Sequence, residues 1–283
     1  MLWRNKSFFV LGVGLCFGMV LCIQLGLYLA NILFGPTFFD NIFQFCIRIF
    51  KKGTVEYYVV LLLVNTYVVF SILVLCKKII QQVVNTNRLK KKIGHLTNRE
   101  KTIEMNQRFN RSGRDIIVIN SNELIALTFG LRNPFILLST NLIKMLDKTE
   151  LEAVIYHETA HQKYHDTLKI FVLKMIYEVM WYIPLTKWAY KNFKIIIELV
   201  ADEYAITRMG SELGLGSALL KLINTHLDYK TNSLLVPFAD GTIDYRLKQL
   251  IEPYYTLPFK LQIKSIIISV NVMILSIILM IIV

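Results

Sequence analysis

The sequence predicts an α+β chain in which membrane helices accompany a polar domain made of a small sheet followed by helices. Three observations predict it. Uncharged apolar runs at residues 7–39, 57–76 and 265–283 match the roughly 20 residues that a membrane span needs. Short β-branched runs at 116–119, 124–129 and 135–138 are separated by Asn-Ser-Asn and by Gly130 with Asn133-Pro134, and read as strands. Downstream of them, Val154-Ile155-Tyr156-His157-Glu158-Thr159-Ala160-His161 carries apolar residues at helical spacing, and within it the pattern H-E-x-x-H.

Composition agrees with this division. Of the 283 residues, 54% are hydrophobic, and the mean hydropathy of +0.48 is too high for an ordinary soluble domain. The formal charge is +12, and eleven Lys/Arg against two acids fall between Lys77 and Arg114. A basic block directly after an apolar span marks a cytoplasmic membrane surface. No aromatic-interleaved or helix-turn-helix pattern accompanies it, so direct nucleic-acid binding is not expected. Cys16, Cys22, Cys46 and Cys76 lie in the apolar N-terminal third without metal-ligand spacing, and read as small residues of membrane helices.

Residues 1–80 are expected to form a membrane region with two transmembrane helices, 81–260 a cytoplasmic domain, and 261–283 a C-terminal transmembrane helix. The first run has no small-x-small cleavage site and reads as an anchor. Arg4 and Lys6 precede it, and the basic load after Cys76 exceeds that of the 40–52 connector (Arg48, Lys51, Lys52). The positive-inside rule therefore sets the connector outside and the polar domain in the cytoplasm. Lys260 and Lys264 mark the cytoplasmic end of the last span. The sequence stops where that span would emerge, so no external domain is expected to follow. Gly14, Gly18, Cys22, Gly26 and Ala30 recur every fourth residue, a small-residue stripe that lets another helix approach closely. Lys169, Lys174 and Glu178 interrupt the apolar 168–183 stretch, which makes a full crossing costly and favours a helix buried in the domain or lying against the bilayer. Further helices are expected at 188–207, 211–229 and 244–251, with Pro184 ending or kinking the one before.

The H-E-x-x-H helix carries the chemistry. Thr149 with Glu152 fits a capping box at its start. His157 and His161, four residues apart, lie on one face and can converge on one zinc ion, with Glu158 beside the metal to take a proton from its water. A catalytic zinc keeps three protein ligands. His165 extends the same face but is too distant to close a tetrahedron, and reads as helix-end or solvent-facing. Glu198 is the better candidate for third ligand, with Asp202 one turn later able to hydrogen-bond a ligand histidine. Tyr245, Arg246 and His226 are the available oxyanion donors, and nothing in the sequence chooses among them.

His157-Glu158-x-x-His161 with Asp166, then Trp181-Tyr182-Ile183-Pro184-Leu185, then Glu198-x-x-x-Asp202-Glu203, resembles the antirepressor family of integral-membrane metallopeptidases, whose best-known members are β-lactam sensor–transducers. The 130–139 stretch, Gly-Leu-Arg-Asn-Pro-Phe-Ile-Leu-Leu-Ser, looks like the strand region of that family. The resemblance implies a gluzincin-type domain in which His157, His161 and Glu198 bind zinc and Glu158 is the general base. It implies a bacterial plasma-membrane protease whose substrate is a cytosolic transcriptional repressor or the protease itself, with a membrane partner or a homo-oligomer as further partners. Two departures stand out. No penicillin-binding sensor domain is expected after the last span, and Ala201 stands where the family often has Cys. The nearest rival is the prenyl-protein and heat-shock membrane peptidase group, against which the 181–185 segment argues. A non-catalytic membrane signalling or immunity protein with a structural zinc is the other alternative, against which the intact Glu158 argues.

Overall fold

The computed structural model describes residues 2–35, 41–111, 115–228, 242–252 and 263–281, with the side chains of 2, 226–228 and 275–281 excepted. Asp40, Arg114, Tyr229 and Lys260, named above at element ends, lie outside the described residues, as does the side chain of His226. The described chain is mostly helical with one small sheet. Eleven helices are described, α1 Leu2–Phe34, α2 Ile42–Arg48, α3 Val55–Leu96, α4 Arg99–Arg108, α5 Thr140–Met145, α6 Lys148–Tyr164, α7 Asp166–Val179, α8 Pro184–Met209, α9 Leu213–Asp228, α10 Ile243–Ile251 and α11 Ile263–Ile281. The strands are β1 Ile116–Ile119, β2 Ala126–Phe129 and β3 Phe135–Ser139. Two compact units result. One comprises residues 1–7, 84–171 and 193–258, the other residues 8–83, 172–192 and 259–283. The 172–192 stretch, which the sequence reading gives to the polar domain, thus groups with the apolar helices.

In the first unit the sheet has the order β1-β3-β2, with β1 parallel and β2 antiparallel to β3. Strand alternation sorts its side chains into two cores. Ile116, Val118, Ala126, Ile136 and Leu138 pack with Leu151, Val154 and Ile155 of α6 and Ala218 and Leu222 of α9. Ile117, Ile119, Leu127, Phe135 and Leu137 pack with Leu89, Ile93 and Leu96 from the end of α3. Gly130 turns the chain from β2 into β3 at φ 114°, where a Cβ would stand 2.8 Å from the Asn133 carbonyl oxygen, so glycine is required.

The outer edge of β1 is closed. Asn106 is buried and treats the strand as a neighbouring chain would, donating to Ile116 O at 2.6 Å and accepting from Ile116 N at 3.1 Å. Asn98 N donates to Val118 O and Asn120 N to Leu96 O, each at 2.8 Å. Among the described residues β2 pairs with β3 alone, so no described strand pairs with its outer edge, where Thr128 O accepts from the Thr167 hydroxyl at 3.4 Å.

Three helix starts differ from expectation or extend it. The capping box of α6 is built by Asp147 and Glu150, two residues earlier than the Thr149–Glu152 pair. Asp147 accepts from the amides of Thr149 and Glu150, and Glu150 accepts from Asp147 N at 2.9 Å. The carboxylate of Asp147 outcompetes the Thr149 hydroxyl, which itself bonds Asp147 at 2.7 Å. Pro184 starts α8 rather than merely ending α7, because a first-turn position asks for no N–H. His165 caps α6 in the left-handed region, φ 53° and ψ 41°, and α7 begins at the next residue.

The second unit holds the apolar helices. Trp3–Phe34 and Val55–Leu96 are long and apolar enough to cross a membrane, and α3 runs on through the basic block to Leu96 as one 42-residue helix. Phe17, Leu21 and Leu25 of α1 pack with Val68 of α3 and with Val179, Met180, Ile183 and Leu185. The small-residue stripe meets its partner within this chain. A Cβ on Gly14 would stand 2.3 Å from Leu173 Cδ2, and one on Gly18 2.5 Å from Ile176 Cδ1, whereas Gly12 and Gly26 have nothing within 4 Å.

Gly18→Leu should therefore destabilise the protein by about 1–3 kcal/mol through overpacking. Gly12→Leu should cost nothing and gain helix propensity. Thermal unfolding of the two variants in detergent compares them, and equal midpoints would show that α1 does not pack against residues 173–176.

Candidate metal centre

Four elements bring the site together. Helix α6 presents His157, Glu158 and His161, and α8 presents Glu198 and Asp202. The left-handed His165 lets the chain reverse at once, so that the first residue of α7, Asp166, returns beside His161. That conformation costs a non-glycine residue about 1–2 kcal/mol. Helix α10 adds Arg246.

The Nε2 atoms of His157 and His161 are 3.2 Å apart. Glu198 sets Oε2 at 3.4 Å from the first and Oε1 at 3.6 Å from the second. All three residues offer donor atoms within 4.8 Å of one another, and the group could hold a metal ion. Donors 2.0–2.1 Å from a tetrahedral zinc stand about 3.3 Å apart, so these separations fit that ion.

Each imidazole is fixed from behind. His157 Nδ1 lies 2.8 Å from Asp202 Oδ1, and His161 Nδ1 lies 2.9 Å from Asp166 Oδ2. A carboxylate there accepts a hydrogen bond from Nδ1–H, which keeps the proton on Nδ1 and leaves the Nε2 lone pair free toward the shared point. Arg246 in turn holds Asp202 with two bonds, Nε to Oδ2 at 2.8 Å and Nη2 to Oδ1 at 2.7 Å. Its Nη1 stands 3.4 Å from Glu198 Oε2. Glu158 is buried, and its Oε2 and carbonyl oxygen each lie 2.8 Å from the Thr128 hydroxyl on β2, which has one hydrogen to donate between them.

Burial alone would push His161 down, but the Glu198 carboxylate and the bond to Asp166 outweigh it and raise its pKa to about 9. Burial also opposes ionisation of Glu198 and Asp202. The two histidines and Arg246 hold Glu198 well below the usual carboxylate range, and Arg246 with His157 does the same for Asp202.

A cavity of about 160 Å³ opens over the centre, lined by Leu127, Thr128, Glu158, Ile170, Ile197 and Thr242 among others. Thus the sequence-derived residues His157, Glu158, His161, Glu198 and Asp202 converge. Arg246 joins them as the partner of the two carboxylates. Tyr245, on the same helix, does not line the cavity. His165 is exposed at the helix end. Sequence reasoning placed Asp166 in the family motif without giving it a role at the metal, and passed over Thr128. The signal for Asp166 is its place just beyond the H-E-x-x-H helix, which needs the left-handed His165 to become legible.

A mostly helical fold with this donor set defines an H-E-x-x-H metalloprotein. The chain belongs to the BlaR1 peptidase M56 family, a family of zinc metallopeptidases, which it matches over residues 47–250. It is also similar to the Regulatory protein BlaR1 of Bacillus licheniformis, 30% identical over 123 residues, which are 42% of this chain and 20% of that protein. The family is the one that the sequence motifs suggest.

Two outcomes test the centre. Zinc takes an unprotonated imidazole, and His161, with its pKa raised from 6.5 to about 9, holds its proton at neutral pH. That proton stabilises the metal-free fold fully below pH 6.5, and its contribution is lost as pH rises through 9. Zinc affinity should accordingly climb between pH 7 and 9, by up to about tenfold per unit, and then level off. Calorimetry in buffers of differing ionisation enthalpy would count the proton released. Second, Glu198→Ala should leave zinc well below one ion per chain, while Asp166→Ala and Asp202→Ala should each weaken affinity about 10–100-fold. An Asp166→Ala variant with wild-type affinity in chelator competition would remove that residue from the centre.

Proposed function

We propose that this chain is a zinc-dependent endopeptidase anchored in a bacterial plasma membrane. Its centre faces the cytoplasm and hydrolyses peptide bonds of a cytosolic protein, a transcriptional repressor, or of the protease itself, in signal-regulated proteolysis. The observation that carries the reading is the ionisable, buried Glu158 beside three donors at tetrahedral spacing. A purely structural ion has no need of such a neighbour. Family membership supports the reaction class, and the relative's name, a regulatory protein, supports a signalling role. The two long apolar helices and the basic block after Cys76 support the location.

His157, His161 and Glu198 would hold the zinc, which would supply a Lewis acid able to lower the pKa of water toward neutrality. Glu158 accepts the proton of the attacking water and passes it to the leaving amine. The Thr128 hydroxyl, on the strand beside it, holds the Glu158 carboxylate toward the cavity. Substrate lies extended along the outer edge of β2, whose Leu127 and Thr128 line the cavity, displaces the Thr167 hydroxyl from Thr128 O, and is held there by main-chain pairing that fixes the scissile bond without demanding a particular sequence. Asp202, tied to Arg246, keeps the Nε2 atom of His157 available through each turnover.

Glu158→Gln preserves shape and removes the base. It should lower cleavage about 10²–10⁴-fold while zinc, measured by mass spectrometry of the purified protein, stays at the wild-type level. New protein N-termini that appear in cells only with Glu158 intact would give the substrate. Undiminished turnover in the Gln variant would sink the mechanism.

A further inference from the structure

We propose that residues 172–192 form a re-entrant hairpin, sunk about half-way into the hydrocarbon layer and entering and leaving it on one side. The inference rests on reading α1 and α3 as membrane spans, and takes that reading further by assigning lipid as the surroundings of a third segment.

Contacts with α3 fix the depth. Four residues before Tyr182 at the tip, Glu178 accepts from Lys78 Nζ, with Oε1 at 3.0 Å and Oε2 at 2.8 Å. Lys78 stands just beyond the uncharged 57–76 run, at the boundary of the apolar layer. At the tip, the Tyr182 hydroxyl lies 2.9 Å from that of Tyr67, and the two rings are 5.9 Å apart. Tyr67 is in the middle of the uncharged run, about 16 Å of helix rise from Lys78. That is half of a hydrocarbon core roughly 30 Å thick. Helix α1 gives the same placement, because Leu173 and Ile176 abut Gly14 and Gly18 inside its apolar run, and Val179 to Leu185 pack on Phe17, Leu21 and Leu25.

The turn is built for an environment without water. A backbone group unpaired in hydrocarbon costs several kcal/mol. Met180 N donates to Ile176 O and Ile183 N to Met180 O, each at 2.9 Å. Pro184 brings no N–H. Leu185 N donates to Ser269 Oγ of α11 at 3.3 Å. The buried Thr186 hydroxyl lies 2.8 Å from Ile183 O and 3.2 Å from Met180 O, a second donor beside the amides of Thr186 and Ile183 that these carbonyls already accept from. Yet the tip displays Trp181, 66% exposed, and Tyr182, 40% exposed. Closed polar groups beneath open aromatic rings are what lipid selects.

The charges set the limit. Lys174, Lys187 and Lys191 are exposed and lie five or more residues back from the tip, from where their stems can reach the boundary. A full crossing would strand them at the bilayer centre, where a charge is costly. Helix α7 begins with Asp166 and α8 carries Glu198, so the hairpin and the metal centre share two helices.

The full chain, reconstituted in vesicles of phosphatidylcholine brominated either high on the acyl chains or near their ends, tests this by tryptophan fluorescence. Subtracting the Trp181→Phe spectrum from that of the wild type isolates Trp181 without disturbing a buried residue. Deep bromines should quench that emission about twofold more than shallow ones, as half depth requires, and aqueous acrylamide should barely reach it. Ready quenching by acrylamide, or stronger quenching by shallow bromines, overturns the proposal. So does protection from both, which would place the indole against protein. Leu63→Trp in the Trp181→Phe background is the control, since Leu63 is an exposed residue within the α3 run. If that probe is deep and Trp181 is not, the hairpin alone fails. If acrylamide reaches both, the membrane-spanning reading fails with it.

Discussion

Two imidazoles can aim at one ion only if something else accepts a hydrogen bond from the N–H on the far side of each ring. Here Asp202 does so for His157 and Asp166 for His161, and much of the fold around the centre serves those two contacts. Asp202 is fully buried and would be costly as a lone charge, so it requires Arg246 from α10. Asp166 can reach His161 because His165 accepts a left-handed conformation that ends α6 and starts α7 within one residue. The H-E-x-x-H spacing supplies the donors, and these arrangements supply their orientation.

The sheet has a complementary role. Three strands are few for an independent core, and both faces are covered, one by α6 and α9 and the other by the end of α3. Asn106 and the 96–98 segment cap the edge of β1. The effort spent on that edge makes the treatment of the other one informative. β2 runs past the metal centre with no described strand on its outer edge, only the Thr167 hydroxyl at Thr128 O, and its Thr128 touches Glu158. An unpaired strand edge invites aggregation unless something binds there, and an extended peptide beside Glu158 is what the proposed hydrolysis needs.

Periodicity made much of this legible. The β-branched runs gave all three strands to within two residues, and the i, i+4 pattern gave His157, His161, Glu198 and Asp202, because a helix turns fixed spacing into fixed geometry. What escaped depends on reversals and on long-range packing. Asp166 becomes a partner of His161 only through the backbone angle of one exposed histidine. Thr128 lies 30 residues before Glu158 and meets it only because the sheet packs on α6. The partner of the glycine stripe was likewise hidden, since nothing local in 173–176 announces that it docks on Gly14 and Gly18.

The charge balance of the centre explains the choice of arginine at position 246. Glu158, Asp166, Glu198 and Asp202 gather four carboxylates around a small cavity, and a dication with two imidazoles offsets part of that charge. A lysine could offer one point charge to Asp202. The planar guanidinium instead spans both oxygens of Asp202 and still sets Nη1 near Glu198, so one side chain couples the residue that orients His157 to the residue that completes the donor set. Arg246 keeps its charge and, together with the two histidines at Glu198 and His157 at Asp202, holds both carboxylates toward the ionised form. The donor set is thereby preformed, and binding an ion requires the loss of a proton rather than a rearrangement of the fold.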